Sequence, residues 1–374
     1  MSRDRSAAPA PPRDGGRLES VDVLRGATIA GMIVVNDPGT WAAVYPPLRH
    51  AEWNGWTYTD TIFPFFLFLV GVSLALSFER RRAQGAAAGE LARHALIRGA
   101  LVVAVGLALN GVSYLLLHGE RFRIPGVLQR IGVCIAIAGT VLAFGSARAA
   151  LLAAAILLAG YAAILSSGPL DPAGSVSSRV DRAVFGPHTW KPDFDPEGLL
   201  STLPAAATTL LGAVAGERLR RRGPTGAAVR ELAIAGAAAA AGGWAWGLAL
   251  PINKSLWTPS YVLLTAGLAA LALAAAIAVV DLFGARRWAA PFLWLGRNAI
   301  AAFVLSALGA ILLLAVKVDA GDGKRHSLWS AIYRGAFEGL ADPRLSSLLF
   351  ALAYLAVWIA LCGLLYRRRI FIKI

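Results

Sequence analysis

Charge is scarce in this 374-residue chain. Asp, Glu, Lys and Arg make up 16% of it, while 57% is apolar. A soluble globule carries about 25% charge, because its surface must be wetted. Too few polar groups are present to cover a water-facing surface, so most of the surface must face lipid. Acidic residues are the scarcer half, 22 against 36 Lys and Arg, which leaves a net charge of +14. In a membrane protein such an excess anchors the cytoplasmic face to anionic lipid. No basic stripe interleaved with aromatics lies on a soluble element, so nucleic acid is not expected as a partner. Cysteine is nearly absent. Cys134 and Cys362 each sit inside an apolar run, and they read as packed, reduced thiols without a structural disulfide. The five histidines are dispersed, no His/Cys/carboxylate spacing suits a metal, and no HExxH or Walker loop occurs, so no metal is expected.

The first sixteen residues, Met1 to Gly16, are rich in Ala, Pro and Arg. They lack the apolar stretch and cleavage site of a signal peptide and read as a short disordered cytoplasmic tail. Residues 17–374 then form a single transmembrane domain with outer loops at 37–56, 167–197 and 317–344. Ten uncharged or nearly uncharged runs approach the length needed to cross about 30 Å of hydrocarbon: Leu18–Asn36, Thr57–Phe78, Leu91–Leu117, Gly126–Phe144, Ala149–Ser166, Gly198–Gly216, Leu232–Leu250, Leu256–Val280, Pro291–Val316 and Leu345–Tyr366. They are rich in Ala and Leu and show no period-2 alternation, which selects helices over a barrel. The expected fold is all-α and polytopic.

Basic residues set the orientation. With the N-terminus inside, the inner segments hold 20 of the 36 Lys and Arg, and the outer segments hold 12, eight of them in the two long loops. The short loops decide best, and the outer ones carry only Arg49, Arg121, Arg123 and Lys254. Both termini are therefore expected in the cytoplasm. Four arginines, Arg25, Arg98, Arg130 and Arg297, lie within the spans, where charge is costly and faces a bundle interior or watery cavity. Arg25, Arg98 and Arg297 fall within about two turns of a cytoplasmic end. Three guanidiniums at one end of a bundle can hold an anion, and phosphate fits their fork. The alternative is that each snorkels to lipid phosphate or pairs locally, as Arg25 with Asp22.

At the opposite rim, Asn36, Asp37, His50, Glu52, Trp53, Asn54, Trp56 and Asp60 crowd into about 25 residues. A neutral imidazole near pH 7 can take a proton or attack a carbonyl, and Asp60 or Glu52 can orient it. The tryptophans alone would be ordinary residents of a membrane interface.

Several blocks together resemble the membrane acetyltransferases of the heparan-alpha-glucosaminide N-acetyltransferase family, including bacterial NagX-like relatives. They are Leu24-Arg25-Gly26, the Asn36–Gly39 turn, His50-Ala51-Glu52-Trp53-Asn54-Gly55-Trp56-Thr57, the run from Asp60 to Ser73, Arg123 to Ile131, Leu250 to Thr258 and the closing Tyr366–Ile374. The resemblance implies transfer of acetyl from cytoplasmic acetyl-CoA, as co-substrate, to an amino sugar on the outer side of a bacterial inner membrane. It implies His50 as the catalytic residue, with Asn36 assisting. Asp60 is expected to orient His50. Arg25, Arg98, Arg297 and the adjacent Asn298 are expected to hold the donor, and Glu52, Trp53, Asn54, Asn253, Lys254 and Trp257 to bind the acceptor. The bilayer is the obligatory partner, and a homodimer is compatible with the sequence. Two other readings stay open: a transporter or channel for a small sugar or anion, which the intramembrane arginines fit equally well, and an O-acetyltransferase acting on a cell-envelope glycan.

Overall fold

The computed structural model describes residues 18–319 and 324–372. The N-terminal tail expected at Met1–Gly16 lies outside the described residues. The chain is helical almost throughout: α1 Glu19–Asn36, α2 Tyr58–Ala83, α3 Ala88–Leu116, α4 Val127–Phe144, α5 Ala147–Ser166, α6 Val176–Phe185, α7 Thr202–Arg222, α8 Gly226–Trp246, α9 Pro259–Ala276, α10 Ala290–Arg297, α11 Ala299–Ala315, α12 Leu328–Ala336 and α13 Pro343–Arg367. A two-stranded antiparallel ribbon, β1 Lys317–Asp319 and β2 Arg325–Ser327, lies between α11 and α12.

Among the described residues six helices are long and apolar enough to cross a membrane: α2, α3, α4, α5, α9 with its extension to Leu282, and α13. A seventh is α10 with α11, if that pair, bent by 77°, counts as one span. The chain is thus an all-α, multi-pass membrane protein. The other expected spans coincide with α1, α7 and α8. These are less apolar for visible reasons. Glu19, Asp22 and Arg25 sit in α1, α7 ends in Glu217 and four arginines within five residues, and α8 is mostly Ala and Gly.

Hydrogen bonds and ion pairs among the described residues tie the connections and helix ends together at each end of the bundle. At one end, Gly55 N–H donates to Ile252 O, Trp53 Nε1 to Leu170 O, and Gly39 N–H to Ser347 O. At the other, Arg82 donates to Leu142 O and Ala143 O, Arg220 pairs with Glu79, and Arg286 with Glu19.

Close helix packing places both ends of the bundle. A Cβ added at Gly26 would lie 1.7 Å from Phe292 O, and one at Gly296 1.8 Å from Asp22 O. Only hydrogen fits there, so α1 and α10 touch backbone to backbone, the small-residue packing that membrane helices use. Arg25 and Arg297 are carried to the same place by that contact.

The end of the bundle expected to face outward is more ordered than a pair of long loops. Residues 167–197 contain α6 and are fastened by Arg123, whose guanidinium donates to Asp195 at 2.9 and 2.5 Å and to Glu197 at 2.5 Å. Asp195 is fully buried. Removing the arginine strands that carboxylate, which costs about 3 kcal/mol. Arg123→Ala should therefore lower the unfolding midpoint in detergent markedly, whereas exposed Arg121→Ala should move it within about 0.5 kcal/mol.

Sidedness has its own measurement. Asp193, in the α6 segment, and Ala87, between α2 and α3, are both exposed and lie at opposite ends. The native cysteines are buried and give little background. With both termini cytoplasmic, Asp193→Cys should react with an impermeant maleimide in intact spheroplasts and Ala87→Cys should not.

Candidate active site

Asp60 is the third residue of α2, where a carboxylate meets the free N–H groups and the positive end of the helix dipole. Its Oδ2 accepts from Thr57 N–H and Ala51 N–H, each at 3.0 Å, and the Thr57 hydroxyl lies 3.2 Å away. Its Oδ1 accepts from His50 Nδ1 at 2.7 Å. Asp60 is 1% exposed and the His50 side chain 51% exposed, so a buried anchor holds a ring open to solvent. With Nδ1–H given to Asp60, Nε2 is left as the acceptor. Four residues on, Pro64 has no N–H to offer the Asp60 carbonyl. The Tyr261 hydroxyl of α9 donates to that carbonyl instead, at 2.5 Å.

His50 lines a cavity of about 110 Å³ whose other polar walls are Asn36, Thr59, Glu197 and Lys254. The apolar walls, Met32 and Val35 of α1, Ile62 and Phe63 of α2, Val127 of α4 and Phe303 of α11, lead inward between the helices. Asn36, the last residue of α1, thus shares the cavity with His50. Beside it, burial pushes the Asp37 carboxyl up to about 8. Lys254 Nζ lies 3.0 Å from His50 Nδ1, 3.3 Å from Nε2 and 3.7 Å from Asp60 Oδ1. Burial holds the proton affinity of Lys254 below the ordinary lysine range; Asp60 and Glu197 oppose that shift, and the Arg130 charge adds to it.

Glu197 and Phe303 were not anticipated. Glu197 is one of three acids in the run Asp193 to Glu197 just before α7, a cluster at a rim being the only signal available. The expected acceptor residues divide. Glu52 is exposed at the rim. Trp53 is bound to Leu170 and stacks edge-on against Phe194. Asn54 Oδ1 accepts from Asn253 Nδ2 at 3.1 Å, and Asn253 Oδ1 accepts from Leu256 N–H at 2.8 Å. These two asparagines join the rim loops to each other.

Trp257 corrects the expectation. It is wholly buried, between Phe63 and Tyr261, with the Arg130 guanidinium 4.9 Å from its ring centroid and its Nε1 donating to Thr208 Oγ1. A large ring packed on every side has no face left for an acceptor, so it belongs to the floor beneath the cavity.

The inner arginines do converge. Asp22, 2% exposed, takes Arg25 Nη1 at 2.9 Å and Arg297 Nε at 3.2 Å, so the local pairing anticipated for Arg25 is present together with the cluster. Arg25 also donates to Ser73 Oγ at 2.5 Å. Arg98 faces the like charges of Arg25 and Arg81, and its buried Nε has no hydrogen-bond partner. Two guanidiniums share the Asp22 carboxylate, and Arg98 beside Arg25 keeps a buried N–H donor with no hydrogen-bond partner among the described residues. Asn298 plays another part. Its Nδ2 donates to Ile370 O and its Oδ1 accepts from Ile372 N–H, which fastens the segment after α13 at the α10–α11 bend. Arg25 and Asn36 are eleven residues apart on α1, or about 16 Å along its axis, so one helix joins the two sites.

Comparison with known proteins identifies the family. A family model described as heparan-alpha-glucosaminide N-acetyltransferase, catalytic, matches residues 17–244, which include Arg25, Asn36, His50, Asp60 and Arg98. The heparan-alpha-glucosaminide N-acetyltransferase of Homo sapiens is 28% identical over 360 residues, covering 77% of this chain and 52% of the relative. That of Mus musculus is 27% identical over 361 residues, covering 77% and 53%. The chain spans about half the length of the curated relatives it matches. With more than half of its residues matched by that model, the chain belongs to the heparan-alpha-glucosaminide N-acetyltransferase catalytic family.

Proposed function

We propose that this chain is a transmembrane N-acetyltransferase that moves acetyl from cytoplasmic acetyl-CoA to the amine of a glucosamine-type sugar on the periplasmic side of a bacterial inner membrane. Ten spans with both termini cytoplasmic complete the reading. One observation carries it: α1 links an arginine cluster at one end of the bundle to a His–Asp pair and a cavity at the other. Arg25, Arg98 and Arg297 hold the donor's phosphates, and the apolar walls of the cavity admit its pantetheine arm. Bound acetyl-CoA supplies an acetyl group already activated as a thioester.

The rest is the work of side chains. The acceptor attacks as the neutral amine, because an ammonium has no lone pair, and His50 Nε2 takes the proton that the nitrogen sheds as it bonds. Asp60 fixes the tautomer and stabilises the imidazolium, the role of the third member of a triad. The Asn36 amide donates to the developing oxyanion, a contact worth about 3 kcal/mol when preorganised. Holding both substrates in one bundle favours direct transfer over an acetyl-histidine intermediate, since proximity alone supplies effective molarity. Glu52 and Asn54 face the acceptor at the rim, while Trp53 and Asn253 hold the rim loops. A transporter needs no His–Asp pair on a cavity wall. An O-acetyltransferase would differ only in its acceptor.

His50→Ala should abolish acetylation of glucosamine, a loss of about 10²–10⁴-fold, while CoA affinity stays near wild type. Radiolabelled acetyl-CoA outside sealed inside-out vesicles with glucosamine trapped within provides the assay. Luminal N-acetylglucosamine supports the proposal; export of unmodified sugar or ester label on glycan supports the other readings. Arg297→Ala should weaken CoA binding by about ten- to a hundredfold, the loss of one charge-assisted contact of about 1.5–3 kcal/mol. Calorimetric titration with CoA gives that number, and unchanged affinity would return the arginines to local pairing.

A further inference from the structure

Lys254 stands in the wrong place to bind an amino sugar. Its ammonium lies against the His50 ring, where the acceptor's own amine must arrive, and two like charges there repel. Its carboxylate partner is also compromised. Asp60 Oδ1 is 3.7 Å away, while both oxygens of that group already accept shorter bonds. A cation on the cavity wall, nearer to both nitrogens of the presumed base than to any carboxylate, needs a different account.

We infer that Lys254 is a second catalytic residue of this site and forms with His50 a proton relay from the attacking amine to the departing sulfur. The inference rests on the acetyl-transfer reading. As the amine nitrogen bonds to the acetyl carbon, its N–H proton passes to His50 Nε2. The carbon–sulfur bond breaks and its electron pair leaves on sulfur. Lys254 gives a proton to that sulfur, which departs as a thiol. Lys254, now a neutral amine 3.3 Å from Nε2, takes the proton held by His50, and both groups are reset. The acceptor's ammonium first gives one proton to solvent; from the neutral amine onward, amine and thioester become amide and thiol with no further net exchange of protons.

The surroundings fit a group that must both give and regain a proton. His50 from the α1–α2 loop, Asp60 of α2, Glu197 from the segment before α7, Arg130 of α4 and Tyr261 of α9 are the titratable and charged groups around it. Burial and Arg130 loosen the proton, while Asp60 and Glu197 keep it from being lost. The ammonium is the working form, so activity should decline on the alkaline side at a pH below the ordinary lysine value of about 10.4.

Two variants separate proton transfer from mere charge. Lys254→Arg keeps a cation that does not give up its proton, and Lys254→Met removes it. Both should lose about 10²–10⁴-fold in acetylation of glucosamine with CoA affinity unchanged. An Lys254→Arg enzyme within a few-fold of wild type would overturn the relay. A separate readout needs no turnover: competitive labelling of Lys254 by an amine-reactive reagent across pH, on the full chain without donor. Its titration should lie below the ordinary range in wild type and move upward in His50→Ala, because Asp60 Oδ1 then loses its His50 partner and faces Lys254. A titration at the ordinary lysine position, unmoved by His50→Ala, would also overturn it. If wild type itself fails to acetylate glucosamine, the proposed function fails; if wild type is active and Lys254→Met is nearly so, only the relay does.

Discussion

One carboxylate organises the outer half of this molecule. Asp60 caps the first turn of α2, closes the loop through Ala51 and Thr57, and holds the His50 ring. Its backbone carbonyl, freed by Pro64, is the point at which α9 is fastened through Tyr261. Each bond would be modest alone, about 1 kcal/mol net for a neutral pair and about twice that for a charged one. Together they fix a half-exposed imidazole with the rigidity of a buried group, which proton transfer at a defined atom requires. The same residue thus serves as a helix cap, a loop latch and an orienting group, and a change there cannot affect one of these alone.

The inner cluster follows a different rule. Burying Asp22 is costly, and two guanidiniums offset that cost only because α1 and α10 approach at Gly26 and Gly296. Arg98 has no such compensation from the protein. Arg25, Arg98 and Arg297 gathered at one end of the bundle bias the local potential toward an anion. That potential sits at the opposite end of α1 from the histidine, so the fold itself separates the charge that binds from the charge that reacts.

How much of this was legible in the sequence depends on the range of the interaction. Apolar runs place the helices well, because lipid leaves the backbone no other partner. The His50–Asp60 pairing was readable because ten residues and one helix start separate the two. Lys254 and His50 are 204 residues apart, and nothing local shows that they meet, so Lys254 read as an acceptor ligand. Glu197 was invisible for the same reason. Trp257 misled because it closes a polar segment at the rim, while its backbone, at φ 53°, turns the ring inward. The bend at Arg297–Asn298 lay hidden in a continuous apolar run, since the bonds that replace the broken helix come from residues 370 and 372. α6 and α12 are short amphipathic helices inside what composition marks only as loops.

That last tie has a bearing on biogenesis. Asn298 lies at the bend of α10 and α11, and its amide is satisfied by backbone that follows α13 in order of synthesis. Until that backbone emerges, the bend carries an unpaired buried amide, and Arg297 lacks the Phe371 ring that lies 5.8 Å from its guanidinium. The cavity walls around His50 are all present once α11 has been made, because Lys254, Tyr261 and Phe303 are then in place. The arginine site closes only after the final span has been inserted. A chain interrupted beyond α11 would thus present a finished reaction centre above an unfinished anion site, and membrane insertion alone would not reveal the defect.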